Sequence, residues 1–219
     1  MIVNAAGVIL SRRPYGEYDR LCTVFTEHLG KVPARFVGVN RAKGKLKALS
    51  EPGVWGEYRL HLSPRSEFAK AVGGRLIGSV PGWREDLDRT FDALACLEML
   101  DRLTPDHLPS PDKYRLICAA LAALDVSPSG WIVPSFGLRL AEMLGVSLRE
   151  RAPAQALAVW AALHDTEPAA LADLPFDAGA AGAARRLLDE HLAAHAGRRL
   201  RAFEFRDEWT KNVPHGAPA

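Results

Sequence analysis

The sequence predicts an α+β protein in which a small five-stranded barrel precedes an all-helical domain. Residues 1–80 contain five short segments rich in β-branched and aromatic residues, separated by turn signals, which is typical of a small barrel. From Trp83 onward the spacing of apolar residues changes from every second residue to the helical period. The charge divides at the same place: residues 1–80 hold 13 Lys and Arg against 6 Asp and Glu, and residues 81–219 hold 15 against 20. We therefore place a barrel domain at residues 1–80, a helical domain at 81–211 and a flexible tail at 212–219.

The strands are predicted from alternation and from turn residues. Val32, Ala34 and Phe36 fall on one face of the third segment and Arg35 on the other, as expected where one side of a strand faces a core. Gly30 is the residue that a tight hairpin needs before the third strand. A five-stranded OB-fold barrel fits this count, and such barrels commonly grip single strands of nucleic acid. The predicted strands are residues 3–11, Leu21–Thr26, Val32–Val39, Val54–Leu62 and Ala71–Val80.

The helices are predicted from apolar stripes and capping residues. The first places Leu87, Phe91, Leu94 and Ala95 on the face expected to pack in the core. Glu98 lies in the same stripe, where a buried carboxylate needs a partner, and a structural ion pair is the expected one. The predicted helices are Trp83–Leu103, one starting at Ser110-Pro111, Phe136–Leu144 ended by Gly145, Ala154–His164, and Ala183–Ala196 ended by Gly197, with Arg198–Phe205 as the last ordered segment.

A basic segment runs from Arg35 to Leu49, out of a strand and into a loop. No Asp or Glu lies between Glu27 and Glu51, so the segment repels itself unless solvent or a polyanion screens it. Taken alone, the run fits a solvated loop and a polyanion-binding loop equally well. Its cations recur at every second position: Arg41, Lys43, Lys45 and Lys47.

The sequence has no residue pattern typical of catalysis or cofactor binding. The stretch that begins at Gly38 resembles a phosphate-binding loop, but Leu46 stands where Ser or Thr must bind magnesium. His191 and His195 have a metal-compatible spacing, but no third ligand is evident. We therefore expect a protein that is not an enzyme and that needs no cofactor and no structural metal.

Cysteine usage and hydropathy bear on the compartment. The three cysteines are too few and too scattered for a disulfide framework, and an odd count suits a reducing environment. We find no signal-peptide pattern and no apolar run long enough to span a membrane. A cytoplasmic location with no membrane partner is the expectation.

Several segments together resemble one family. Ala5–Val32 is similar to the opening of the bacterial recombination mediator RecO, where an apolar strand, a polar G-E-x-D turn, a strand ending in Phe-Thr and a Gly-Lys turn follow one another. Gly38–Leu49 resembles that family's basic loop, and Phe136–Gly145 resembles its F-x-L-R-L-L-x-x-x-G helix. Gly197–Ala202 resembles its closing glycine, basic and leucine segment. The resemblance covers essentially the whole chain and is strongest in the first 50 residues.

The resemblance implies an N-terminal OB domain, a helical C-terminal domain and no catalytic turnover. It implies binding of single- and double-stranded DNA, annealing of complementary strands and cooperation with RecR at the nucleoid. It implies that these activities together overcome the inhibition by single-stranded DNA-binding protein on a strand, so that RecA can load onto that strand. Many members carry a four-cysteine zinc module after the F-x-L-R-L helix, whereas no cysteine lies between Gly145 and Arg198. A partner contact made through that module is therefore not expected here.

The residue chemistry agrees with nucleic-acid binding. Lys and Arg neutralise phosphates whatever the base sequence, and aromatic side chains such as Tyr18 and Trp55 can stack on bases. Two alternatives remain open: an OB protein that binds RNA or acts in translation, and an enzyme of an unrecognised type. The arginines near residue 198 could instead stabilise a helix C-terminus. The candidate nucleic-acid-binding residues are Arg35, Arg41, Lys43, Lys45, Lys47, Arg12, Arg13, Arg20, Tyr15, Arg198 and Arg199.

Overall fold

The computed structural model describes residues 1–77, 82–151 and 157–212. Five strands form a closed barrel in the order β1-β2-β3-β5-β4, and β4 pairs back onto β1. Neighbouring strands are antiparallel except for β3 and β5, which run parallel. The predicted five-stranded barrel is therefore confirmed. Its strands are β1 (Ile2–Tyr15), β2 (Asp19–Thr26), β3 (Gly30–Phe36), β4 (Trp55–His61) and β5 (Ala69–Leu76).

Alternation along the strands separates the inside of the barrel from its outside. Val32, Ala34 and Phe36 of β3 are buried in the barrel core and Arg35 is exposed, as predicted. Tyr58 of β4 lies in the same core, and its hydroxyl donates a hydrogen bond to the Val54 carbonyl at 3.0 Å. A buried tyrosine hydroxyl needs such a partner.

Several strand boundaries differ from the sequence prediction, most clearly the ends of β1 and β3. β1 continues to Tyr15 because residues 12–15 pair with β2 beyond the end of the core. Both faces of that extension contact solvent or polar groups, so its sequence carries no apolar alternation. β3 ends at Phe36, and Val37–Val39 begin the following turn. The predicted end of the fifth strand at residues 78–80, and with it the proposed domain boundary, lies outside the described residues.

The helical domain contains six α-helices in the described ranges. α3 and α5 begin a turn or so earlier than predicted, and the last helix continues past Phe205. Residues 154–156 of one predicted helix and residues 213–219 of the predicted tail lie outside the described residues, whereas Asn212, predicted to begin the tail, is the last residue of the final helix. The helices are α1 (Leu87–Leu103), α2 (Pro111–Val126), α3 (Ile132–Met143), α4 (Leu157–Asp165), α5 (Ala178–Ala196) and α6 (Arg201–Asn212). No helix in the described part of the chain is long and apolar enough to cross a membrane.

The predicted core face of α1 is only partly correct, because Ala95 is buried and Phe91 half-buried but Leu87 and Leu94 are not buried. Leu87 and Leu94 are 44% and 37% exposed, whereas Cys96, Leu97 and Leu100 are buried. α1 packs against β1, α2, α3 and α6. The expected ion pair is confirmed: Glu98 pairs with Arg102.

The barrel and the helices share one apolar cluster. Val8, Leu10 and Phe25 on the outside of the barrel are buried among helical-domain side chains. Lys31 of β3 reaches the C-terminal end of α1, where its Nζ donates to the carbonyl oxygens of Asp101 at 2.6 Å and Thr104 at 2.7 Å. These contacts cover part of the barrel's outer surface and so determine which part of it remains exposed.

Candidate nucleic-acid interface

Strand register places three cations in one row across the outside of the barrel. Arg13 of β1 is opposite Leu21 of β2, Leu21 is opposite Arg35 of β3, and Arg35 is opposite Lys70 of β5. Directly opposite residues project from the same face of a sheet. Arg13, Arg35 and Lys70 are all exposed. Lys70 was missed by sequence reasoning because a single lysine between two alanines has no local signal.

Aromatic side chains lie beside this row. The Arg35 guanidinium lies 5.0 Å from the ring centroid of Tyr15, and the Tyr15 ring meets the Phe68 ring edge-on at a centroid distance of 6.0 Å. Tyr15 closes the β1–β2 hairpin, and Phe68 belongs to the β4–β5 loop. In OB folds these two loops and the β2–β3 face form the surface that binds oligonucleotides. We call Arg13, Tyr15, Arg35, Phe68 and Lys70 the barrel platform.

Asp19 organises the edge of the barrel platform. One carboxylate oxygen accepts a hydrogen bond from the Gly38 backbone N–H at 2.7 Å, and the other pairs with Arg35 at 2.6 Å. The Gly38 hydrogen bond, followed by the Arg35 side chain, lowers the pKa of Asp19 below its ordinary value. Asp19 therefore holds both the cation that stacks on Tyr15 and the start of the basic loop.

The basic loop, which was predicted as a loop, is a chain of turns. Backbone hydrogen bonds link residues 38 to 41, 41 to 44, 44 to 47 and 47 to 50. A Cβ at Gly44 would lie 2.5 Å from the Val39 carbonyl oxygen, so the turns close tightly around this glycine. Arg41 lies 4.9 Å from the Tyr18 ring centroid. Lys43, Lys45 and Lys47 are exposed, and no carboxylate in the described ranges lies within ion-pair distance of them.

Arg12 and Arg20 have an intramolecular partner. Both guanidinium groups contact the Glu51 carboxylate, at 2.5 Å and 2.7 Å, and Arg20 also donates to Ser50. Two cations that share one carboxylate keep a net charge of +1, and their side chains are held in place. The structure therefore gives them a role in fixing the loop that covers the barrel end.

The second predicted basic cluster lies on the helical domain. Arg199 pairs with Asp189 at 2.5 Å and with Asp207 at 2.9 Å. Arg198 and Arg201 are exposed and have no acidic partner among the residues that the structure describes. This cluster is separate from the barrel platform.

The histidines and cysteines show no arrangement for chemistry. His191 and His195 lie with their ring centroids 4.0 Å apart, and burial, with the charges of His195 and Arg151, lowers the pKa of His191. In the described ranges no three His, Cys, Asp or Glu side chains are grouped to hold a metal ion. Burial raises the pKa of the Cys22 and Cys118 thiols to about 12.

Two family models match this chain. Residues 1–79 match the family model described as Recombination protein O N terminal, and residues 84–154 match Recombination protein O C terminal. Three similar relatives bear the name DNA repair protein RecO. The relative from Exiguobacterium is 30% identical over 67% of this chain and 59% of its own length, and that from Desulfitobacterium hafniense is 29% identical over 66% and 52%. The relative from Myxococcus xanthus is 28% identical over 90% of this chain and 94% of its own length.

The chain thus joins an OB-type barrel that has an exposed cationic and aromatic face to a helical domain, and the two matched family models cover these two parts. The chain belongs to the RecO family, which confirms the resemblance. Its match spans between half and three fifths of the length of the first two relatives, and nearly all of the Myxococcus protein.

Proposed function

We propose that this protein binds single- and double-stranded DNA through the barrel platform and the basic loop, and that it anneals complementary strands. With RecR, it helps RecA to load onto single strands that are covered by single-stranded DNA-binding protein. The observation that carries the proposal is the pair of Arg–Tyr stacks, Arg35 on Tyr15 and Arg41 on Tyr18, beside unpaired Lys70. The proposal includes no catalytic step.

Charged and aromatic side chains make different contributions to nucleic-acid binding at such a site. Unpaired Arg13 and Lys70 can neutralise phosphates and release counterions, which gives affinity without sequence preference. Tyr15 is 38% exposed, so part of its ring face is free for a base. Base stacking is tolerant of sequence because every base has a π-face. Binding that does not depend on base sequence suits a mediator that must act on damaged DNA of any sequence.

The direct test is DNA binding by a variant of the barrel platform. Arg13→Ala/Lys70→Ala removes two cations that have no partner among the described residues, so folding should be unaffected. For a single strand, the slope of log affinity against log salt should become shallower by about 1.4, taking about 0.7 per phosphate contact. Lys113→Ala/Arg186→Ala, which removes two cations from the helical domain, is the charge-matched control and should leave the slope unchanged.

Tyr15→Ala tests the stacking component separately. Single-strand affinity should fall by about 1–3 kcal/mol with an unchanged salt slope, because stacking involves no counterion. If both platform variants bind a labelled single strand as wild type does, the platform is not the DNA surface. A matched RNA strand in competition tests sugar preference, and annealing of strands coated with single-stranded DNA-binding protein, with and without RecR, tests the mediator role.

A further inference from the structure

A groove of about 490 Å³ lies where the barrel meets the helical domain. The barrel contributes Leu10 and Arg12, α1 contributes Phe91 and Leu94, and α6 contributes Phe205. The volume is in the range of clefts that hold small ligands or parts of larger ones. The barrel platform contributes no residue to this groove.

Two residues that the sequence assigned to the core face of α1, Phe91 and Leu94, line the groove. Leu94 is 37% exposed and Phe205 is 53% exposed, and they lie on neighbouring helices. Exposed aromatic and aliphatic side chains that share one groove commonly mark an interaction site. Leu94 and Phe205 are therefore available to contact a ligand or a partner.

The charge of the groove indicates an anionic ligand. Its two acids are engaged: Glu98 pairs with Arg102 and accepts from the backbone N–H groups of Arg201 and Ala202, and Asp101 lies 3.6 Å from Lys31. Arg198 and Arg201, which also line the groove, have no acidic partner among the described residues. The groove thus joins an apolar wall to unneutralised cations.

The Arg–aromatic stack of the barrel platform recurs here. The Arg201 guanidinium lies 5.9 Å from the ring centroid of Phe205, as Arg35 lies beside Tyr15 at 5.0 Å. An aromatic ring for a base and a neighbouring arginine for a phosphate are the elements of sequence-tolerant single-strand binding.

We propose that this groove is a second binding site for a single nucleic-acid strand, distinct from the barrel platform. The inference rests on the proposed DNA-binding function and adds a place for the complementary strand. β1 connects the two sites, because Arg12 lines the groove and the next residue, Arg13, belongs to the platform row. Two strands bound on either side of β1 are held close together, which raises their effective concentration for pairing.

The test counts strands per chain. A short fluorescent oligo-dT, which cannot pair with itself, should bind wild type at two sites, and Arg198→Ala/Arg201→Ala/Phe205→Ala should retain one. The annealing rate of complementary strands should fall at least tenfold in this variant, whereas the platform variants should lose the other site. Arg186→Ala/Lys211→Ala, which removes two exposed cations outside the groove, should keep two sites. Arg198→Lys/Arg201→Lys, with Phe205 intact, should also bind oligo-dT at two sites.

The outcomes separate the two proposals. If wild type binds no oligo-dT, the proposed DNA-binding function fails. If wild type binds but the groove variant, folded by circular dichroism, keeps two sites and wild-type annealing, the second-site proposal fails and the groove is left to a protein partner. A single site in wild type, located by the platform variants, also refutes it.

Discussion

Removing the three loop lysines should weaken DNA binding without affecting the fold. Lys43, Lys45 and Lys47 are exposed and unpaired within the described residues, so alanine at all three should change the free energy of unfolding by less than about 0.5 kcal/mol each. Arg41 is kept because it stacks on Tyr18. If all three lysines contact phosphates of a single strand, the salt slope should become shallower by about 2. Between about 50 and 200 mM salt, wild type should then lose roughly twentyfold more affinity than the variant.

The assay is fluorescence anisotropy of a labelled single strand, titrated at four or five salt concentrations. The control variant, Lys113→Ala/Arg186→Ala/Lys211→Ala, has the same net charge but loses its cations from the helical domain. If binding depends on the position of the lysines, only the loop variant changes the slope. An equal salt slope for wild type and the loop variant would refute the reasoning. An equal change of slope in the loop variant and the control variant would show that the slope depends only on net charge.

Three further predictions concern stability and reactivity. Asp19→Asn should lose about 1.5–3 kcal/mol at pH 7, measured by urea unfolding, because two charge-assisted interactions disappear. The folded-state pKa of Asp19 is lowered, so its contribution is fully present above the ordinary carboxyl pKa and is lost as the pH falls through the lowered folded-state pKa; below that pH, the stabilities of wild type and variant should converge. Lys31→Met should lower the free energy of unfolding by a similar amount, since the junction between barrel and α1 loses two hydrogen bonds; a wild-type value would contradict this role. Cys22 and Cys96 are buried with raised thiol pKa values, so a thiol reagent at pH 8 should label them only after urea is added.

Features that depend on neighbouring residues could be predicted from the sequence. The alternation of β3 determines which side chains enter the barrel, because successive residues of a strand point to opposite faces. Gly30 and Gly197 have φ values of +69° and +74° where a hairpin turn and a helix end were predicted. Leucine 138 and Leu140 of the family-like helix are buried, and Gly137 lets α3 approach Leu188 of α5 closely.

The composition of the candidate site was predicted only in part. The lysines of the basic loop and the exposure of Arg35 and Tyr15 follow from local sequence, since uncompensated charge and polar turns stay in solvent. Lys70 could not be assigned, because its place beside Arg35 depends on the parallel pairing of β3 with β5. Asp19 could not be assigned either, because its partners come from other elements.

Sequence by itself determined the number of strands, their inner and outer faces, the helix ends at Gly145 and Gly197, and the concentration of charge in the first third of the chain. The tertiary structure decided which of these charges are free and which apolar stripe is covered. Glu51 neutralises part of the charge of Arg12 and Arg20 only because the loop folds back across the barrel end. Leu94 remains exposed because α1 directs other residues, such as Cys96, Leu97 and Leu100, into the shared core. Both outcomes depend on contacts between distant segments, where packing geometry overrides local pattern.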